Sequence, residues 1–177
     1  MKKLLVLLLV LCTALTLVGC GGNTYKEAVT DYLEVHRDGK VEKLENLAPQ
    51  DVIDQLKQDT GFNIATRQND IKEYHNGLLK SLKSLYGDDY EFSVEVTFKE
   101  EVSENELKEI KTRLNERYGI EKKRIKDLIN AVFEIKHSGS KKEKIIESEV
   151  LVVKIDDTWY VCNENGDFGI TNNQLNN

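Results

Sequence analysis

Apolar residues along this chain change their spacing repeatedly, and each change marks the start of a new segment. Leu4 to Leu11 is an unbroken apolar run behind Lys2 and Lys3, continued by Cys12 to Val18 with only two threonines between. From Thr24 the spacing is helical. Tyr25, Ala28, Val29, Tyr32 and Leu33 form a one-sided stripe, opened by a Thr24/Glu27 capping box and stopped by Gly39. Val41, Leu44 and Leu47 predict a second short helix. Pro49 opens a third through Val52, Ile53 and Leu56. Thr60 to Gln68 is expected as a loop, with Asn69 or Asp70 capping a fourth helix whose stripe is Ile71, Tyr74, Leu78, Leu82 and Leu85, ended by Gly87. From Tyr90 the period falls to two. Tyr90, Phe92, Val94, Val96 and Phe98 alternate with polar residues, a strand with one wet face. Ser103 and Glu106 cap a helix carrying Leu107, Ile110 and Leu114. Residues 125–137 fit both periods. The turn residues Ser138-Gly139-Ser140 and the β-branched run from Ile145 to Ile155 favour a hairpin, hence a strand. Asp156-Asp157 turns into a last strand at Thr158 to Cys162, and Asn165-Gly166 is another turn. Helices followed by a meander of about four antiparallel strands predict an α+β domain with the helices on one sheet face.

The leader changes the picture most. Its apolar part totals about 15 residues, short of the ~20 that span a bilayer, which favours a cleaved signal. It ends in Leu17-Val18-Gly19-Cys20. Those four residues resemble the lipobox of bacterial lipoproteins, in which the cysteine thiol receives a diacylglycerol and becomes the first residue after cleavage. The resemblance implies residues 1–19 as signal peptide, lipid on Cys20, and a location at the outer face of the cytoplasmic membrane. Two acyl chains hold a protein stably where one does not. Residues 20–23 are then a tether reaching about 13 Å, residues 24–169 a single domain, and residues 170–177, ending in Asn172-Asn173-Gln174-Leu175-Asn176-Asn177, a flexible tail.

Composition narrows the partners. Of the 25 Lys and Arg, two lie in the leader, so the mature part sets 23 against 31 Asp and Glu, a formal charge of −8. That argues against nucleic acid, which needs a positive face, and against electrostatic docking on anionic lipid. Of three cysteines, Cys12 leaves with the leader and Cys20 is acylated. Cys162 remains alone, so no disulfide forms within the domain.

The closing segment Val150-Leu151-Val152-Val153-Lys154-Ile155-Asp156-Asp157-Thr158-Trp159-Tyr160-Val161 resembles the last hairpin of small bacterial lipoproteins of the nuclear-transport-factor-two-like (cystatin-like) superfamily, and the Tyr25 to Leu33 helix is similar to its opening helix. The likeness covers 24–40 and 90–165. It implies a curved sheet wrapping a long helix into a cone with a pocket, with the helix at 103–118 an addition between the first two strands. That superfamily holds isomerases, hydratases and binding domains, and fold does not choose among them.

Candidate chemistry is sparse. His36, His75 and His137 form no H-x-x-x-H or H-E-x-x-H pair and are expected at the surface. Asp88-Asp89 and Asp156-Asp157 fit turns. Placing Gly166 at the sixth position of a calcium loop puts Val161 first and Asn172 twelfth, where acids are needed. Ser138-Gly139-Ser140-Lys141 spells S-x-x-K without the partner motifs. Lys122-Lys123-Arg124 and Lys141 to Glu143 fit solvated faces. Cys162 fits a buried small hydrophobe. No cofactor and no metal are implied. Tyr32, Tyr74 and Trp159 are the candidate pocket-wall residues. The expectation is a non-enzymatic, membrane-anchored binding module holding a small apolar ligand, a peptide or an envelope protein. The alternatives are an isomerase- or hydratase-type enzyme pairing a buried carboxylate with Tyr32 or Tyr74, and a structural envelope component.

Overall fold

A computed structural model describes residues 22–171. The leader, Cys20 and residues 172–177 lie outside the described residues. The order of elements is α1 (Tyr25–Arg37), a 3₁₀ helix (Val41–Leu47), α2 (Gln50–Thr60), α3 (Ile64–Tyr86), β1 (Glu91–Glu101), α4 (Glu104–Tyr118), β2 (Ile125–Gly139), β3 (Lys142–Ile155) and β4 (Thr158–Cys162). The four strands form one open antiparallel sheet in the order β1-β2-β3-β4. The domain is α+β, with helices laid against an unclosed sheet. No helix among the described residues is long and apolar enough to cross a membrane.

Both expected capping boxes form. Thr24 and Glu27 open α1, and Ser103 and Glu106 open α4. The Val41, Leu44, Leu47 stripe repeats every three residues, which is the 3₁₀ period rather than the α period, and all three side chains are buried. The fourth helix starts earlier than its pattern indicated. Asn63, not Asn69 or Asp70, is the N-cap, its side chain accepting from Thr66 N at 3.0 Å. Tertiary contacts hold this first turn. Arg67 Nε donates to Ile170 O at 3.2 Å and Gln68 Nε2 to Val41 O at 3.0 Å. The expected loop from Thr60 to Gln68 is therefore mostly helix.

Residues 125–137 are strand. Leu128, Ile129, Ala131, Val132, Phe133 and Ile135 are all buried, so the central strand has apolar residues on both faces. That is why its period was ambiguous. One face, carrying Ile129, Ala131 and Phe133, lies under α1 and α3. The other meets α4, whose Ile110 shares a groove with Leu128 and Leu151. The N-terminal helices lie on the sheet as expected, and α4, the extra helix between the first two strands, meets the other face. The core runs through the sheet and includes Tyr32, Leu114, Phe133, Phe168 and Ile170, each fully buried. Ile170 belongs to the core and not to a loose tail.

The tip of the β2–β3 hairpin is latched to the end of α3. Lys141 N donates to Tyr86 O at 2.8 Å, and Asp89 Oδ1 accepts from Ser140 N and Oγ at 2.9 and 2.8 Å. These bonds hold the Asp89 carboxyl below its ordinary range. A side chain at Gly139 would collide with the Tyr86 carbonyl, so the latch needs glycine there.

Candidate functional site

An open, ligand-sized cleft of about 500 Å³ lies where the C-terminal half of α1, the middle of α3 and the first half of β1 meet. The α1 side contributes Thr30, Leu33, Glu34 and Arg37, followed by Asp38 and Lys40 in the turn after it. The α3 side contributes His75, Leu79 and Leu82, and β1 contributes Tyr90 through Val94. Leucine spacing on α3 and strand alternation on β1 make the walls apolar. The end of α1 makes the rim charged.

Two details of chain geometry shape it. Gly39 holds a φ of +68°, and a Cβ there would press on the His75 ring at 2.9 Å, so the turn after α1 can close over α3 only with glycine. The rim charges are tied to each other. Lys40 Nζ lies 2.7 Å from Glu34 Oε1 and 3.1 Å from Asp38 Oδ2, and Lys43 Nζ lies 2.6 Å from Asp31 Oδ1 and 2.5 Å from Glu34 Oε2. Hydrogen bonds from Lys40 and then Lys43 hold the Glu34 carboxyl below its usual range.

Behind the cleft stands an aromatic stack. The Tyr86, Tyr90 and His137 rings are 5.5 to 5.9 Å apart, and the Tyr90 hydroxyl shares a 2.8 Å hydrogen bond with His137 Nδ1. Burial raises the Tyr90 phenol to about 12. Burial, then the charges of Arg37 and Lys144, lower His137. Both groups are neutral at pH 7. A general acid or base works best when it titrates near the operating pH, and here both are pushed away from it. The pair forms a neutral, hydrogen-bonded floor.

The candidate residues do not converge. Tyr32 is fully buried beside His36, their rings 4.7 Å apart, and is core rather than pocket wall. Tyr74 is 44% exposed on α3. Trp159 is half-buried at the far edge of the sheet, lining a shallow depression of about 520 Å³ with Tyr25 and Lys154. Two histidines expected at the surface are interior: His36 is 1% exposed and His137 6%. Each has one polar demand met inside, His36 by donating from Nε2 to Gly169 O at 2.8 Å. Burial first of all drops His36 to about 4. Cys162 is fully buried, and burial raises its thiol to about 12, so it is no nucleophile. The described residues hold no cluster of three or more metal-ligating side chains. Sequence reasoning missed the cleft. Its signal was present only in part, in Leu82 of the α3 stripe and in Tyr90, Phe92 and Val94 of the strand.

No family model, no curated protein and no solved structure matches this chain.

Proposed function

We propose that the chain is a membrane-anchored lipoprotein whose domain is a non-enzymatic binding module at the outer face of the cytoplasmic membrane. Lipid on Cys20 supplies the anchor, and the cleft between α1, α3 and β1 supplies the binding surface. The observation that carries the binding reading is that the interior is filled while the ligand-sized space is open and lies outside. Tyr32 and Phe133, both fully buried, fill the space between α1 and the sheet. The cleft borders β1, whose outer edge pairs with no other described strand. A short extended peptide from an envelope protein suits it. Strand edges bind such segments through their backbone and alternate side chains, and Leu79, Leu82 and Val94 offer apolar seats beside the charged rim.

The isomerase or hydratase alternative has less support. It needs a carboxyl of raised pKa beside Tyr32 or Tyr74 in an enclosed cavity. Tyr32 is sealed in the core, Tyr74 is open to solvent, and Glu27, Glu34, Asp89, Glu106 and Glu121 are all shifted downward. Kinship with the nuclear-transport-factor-two-like superfamily is supported by helices on an open antiparallel sheet, while α4 on the far face departs from that layout.

Two experiments test the proposal. Cys20→Ser is expected to leave protein in the medium or as uncleaved precursor; full processing and full membrane retention would overturn the anchor. Leu79→Glu, placing a charge in the cleft, is expected to abolish recovery of the partner that wild-type protein pulls down from its own membranes. Undiminished recovery would move the binding surface elsewhere.

A further inference from the structure

The chain enters the domain through a clamp. Asn23 Nδ2 donates to Trp159 O at 3.1 Å, and Trp159 N donates to Asn23 Oδ1 at 2.7 Å. One side chain thus satisfies both backbone groups of an edge-strand residue, as a neighbouring strand would. Gly22 is pressed against the β3–β4 turn so closely that any Cβ would overlap the Asp157 carbonyl. Gly22 and Asn23, expected as part of a short tether, are therefore fastened to the end of the sheet.

Beside the clamp is a small surface of mixed chemistry. The Tyr25 and Trp159 rings meet edge to face, 6.2 Å apart at 70°, and the Lys154 ammonium sits 6.0 Å from the Trp159 ring centre. Half-buried aromatics with polar tips, next to a lysine, suit the boundary between lipid headgroups and acyl chains. We infer that this end of the domain lies directly on the phospholipid headgroup layer, with Trp159 as its contact. The inference rests on the lipid at Cys20. Cys20 precedes Asn23 by three residues, so even fully extended the lipidated residue lies within about 10 Å of the clamp. Glu27, Asp156 and Asp157 are exposed around the same surface. They oppose anionic lipid and limit the contact to headgroup depth. The cleft then faces outward, because α1, at 13 residues about 20 Å long, runs from the clamp to the cleft rim.

The chain contains a single tryptophan, so its fluorescence reports this surface alone. The test uses mature lipidated protein, isolated from its own membranes and reconstituted in phosphatidylethanolamine–phosphatidylcholine vesicles, with and without lipid brominated near the headgroup. The expected result is a blue-shifted Trp159 emission, quenched at least twofold by the brominated lipid. Asn23→Ala is expected to remain vesicle-bound and to lose most of that quenching. Mass spectrometry of the same preparation separates the two readings. Unquenched Trp159 in protein shown to carry diacylglycerol on Cys20 overturns the contact and leaves the anchor standing. Protein with no lipid on Cys20 overturns both. Wild-type quenching in Asn23→Ala overturns the clamp as the orienting device.

Discussion

β4 ends the sheet under cover, and β1 ends it in the open. On the β4 side, Asn23 pairs with Trp159, Phe168 bridges to Cys162, and Gly169 N donates to Val161 O at 3.0 Å. Phe168 itself is fully buried, its ring 5.7 Å from Tyr118 and 6.0 Å from Tyr160. On the β1 side the outer residues are Glu91, Glu95, Lys99, Glu100 and Glu101, all exposed, and the register slips between Val96 and Phe98. Charges and a bulge are ways of keeping an edge from pairing with copies of itself. The contrast teaches a division of labour. The sealed edge is fastened to the entering chain at Asn23 and to the segment after β4, while the guarded edge beside the cleft pairs with no other described strand.

The contrast can be broken by mutation. Phe168→Ala should cost about 3–5 kcal/mol, as for other fully buried phenylalanines, read as a lower urea midpoint. A loss below about 1 kcal/mol would mean that the β4 side is not the stable one. Next in size is a pH effect from His36, which docks on Gly169 behind β4. Unfolded, it titrates near 6.5; folded, near 4. The unfolded chain binds the extra proton first, so the stabilisation is complete above pH 6.5 and drains away as pH falls toward 4. The loss is about 3 kcal/mol at most. His36→Gln keeps a donor for the Gly169 carbonyl and should flatten the stability profile in that window. An unchanged slope would assign the acid sensitivity to other groups. Asn23→Ala removes two hydrogen bonds at a half-buried edge and should cost about 1–2 kcal/mol by thermal or urea unfolding. The smallest effect is expected on β1. Phe98 is 48% exposed, and Phe98→Ala should change stability by no more than about 0.5 kcal/mol. A larger loss would show that the open edge bears load too.

How much of this was legible in the sequence depended on how many neighbours a residue answers to. β1 could be read from Tyr90 to Phe98 because one of its faces is wet, and α1 and α4 because their caps are local. β2 was equivocal because it is covered on both sides. The start of α3 was misplaced because a lone Asn63 cap is supported by Arg67 and Gln68 reaching Ile170 and Val41, contacts of long range. His36 and His137 were misjudged for the same reason, since a buried imidazole is revealed by its partner and not by its neighbours in sequence. The cleft draws on residues 30–40, 75–82 and 90–94. Nothing local joins those stretches, and only the packing of α1 and α3 against β1 does. Tyr32 is fully buried and Tyr74 is 44% exposed, and neither lines the cleft.

The most direct test of a binding module with its working face on the β1 side is photocrosslinking in intact envelopes. One form of the protein carries a photoreactive amino acid at Leu79 in the cleft, and a control carries it at Thr112, which lies on α4 on the far side of the sheet. The account predicts a discrete crosslinked species from the cleft position that is absent from the control and is lost when Val94→Arg is added. Equal crosslinking from both positions, or none from the cleft, would contradict it.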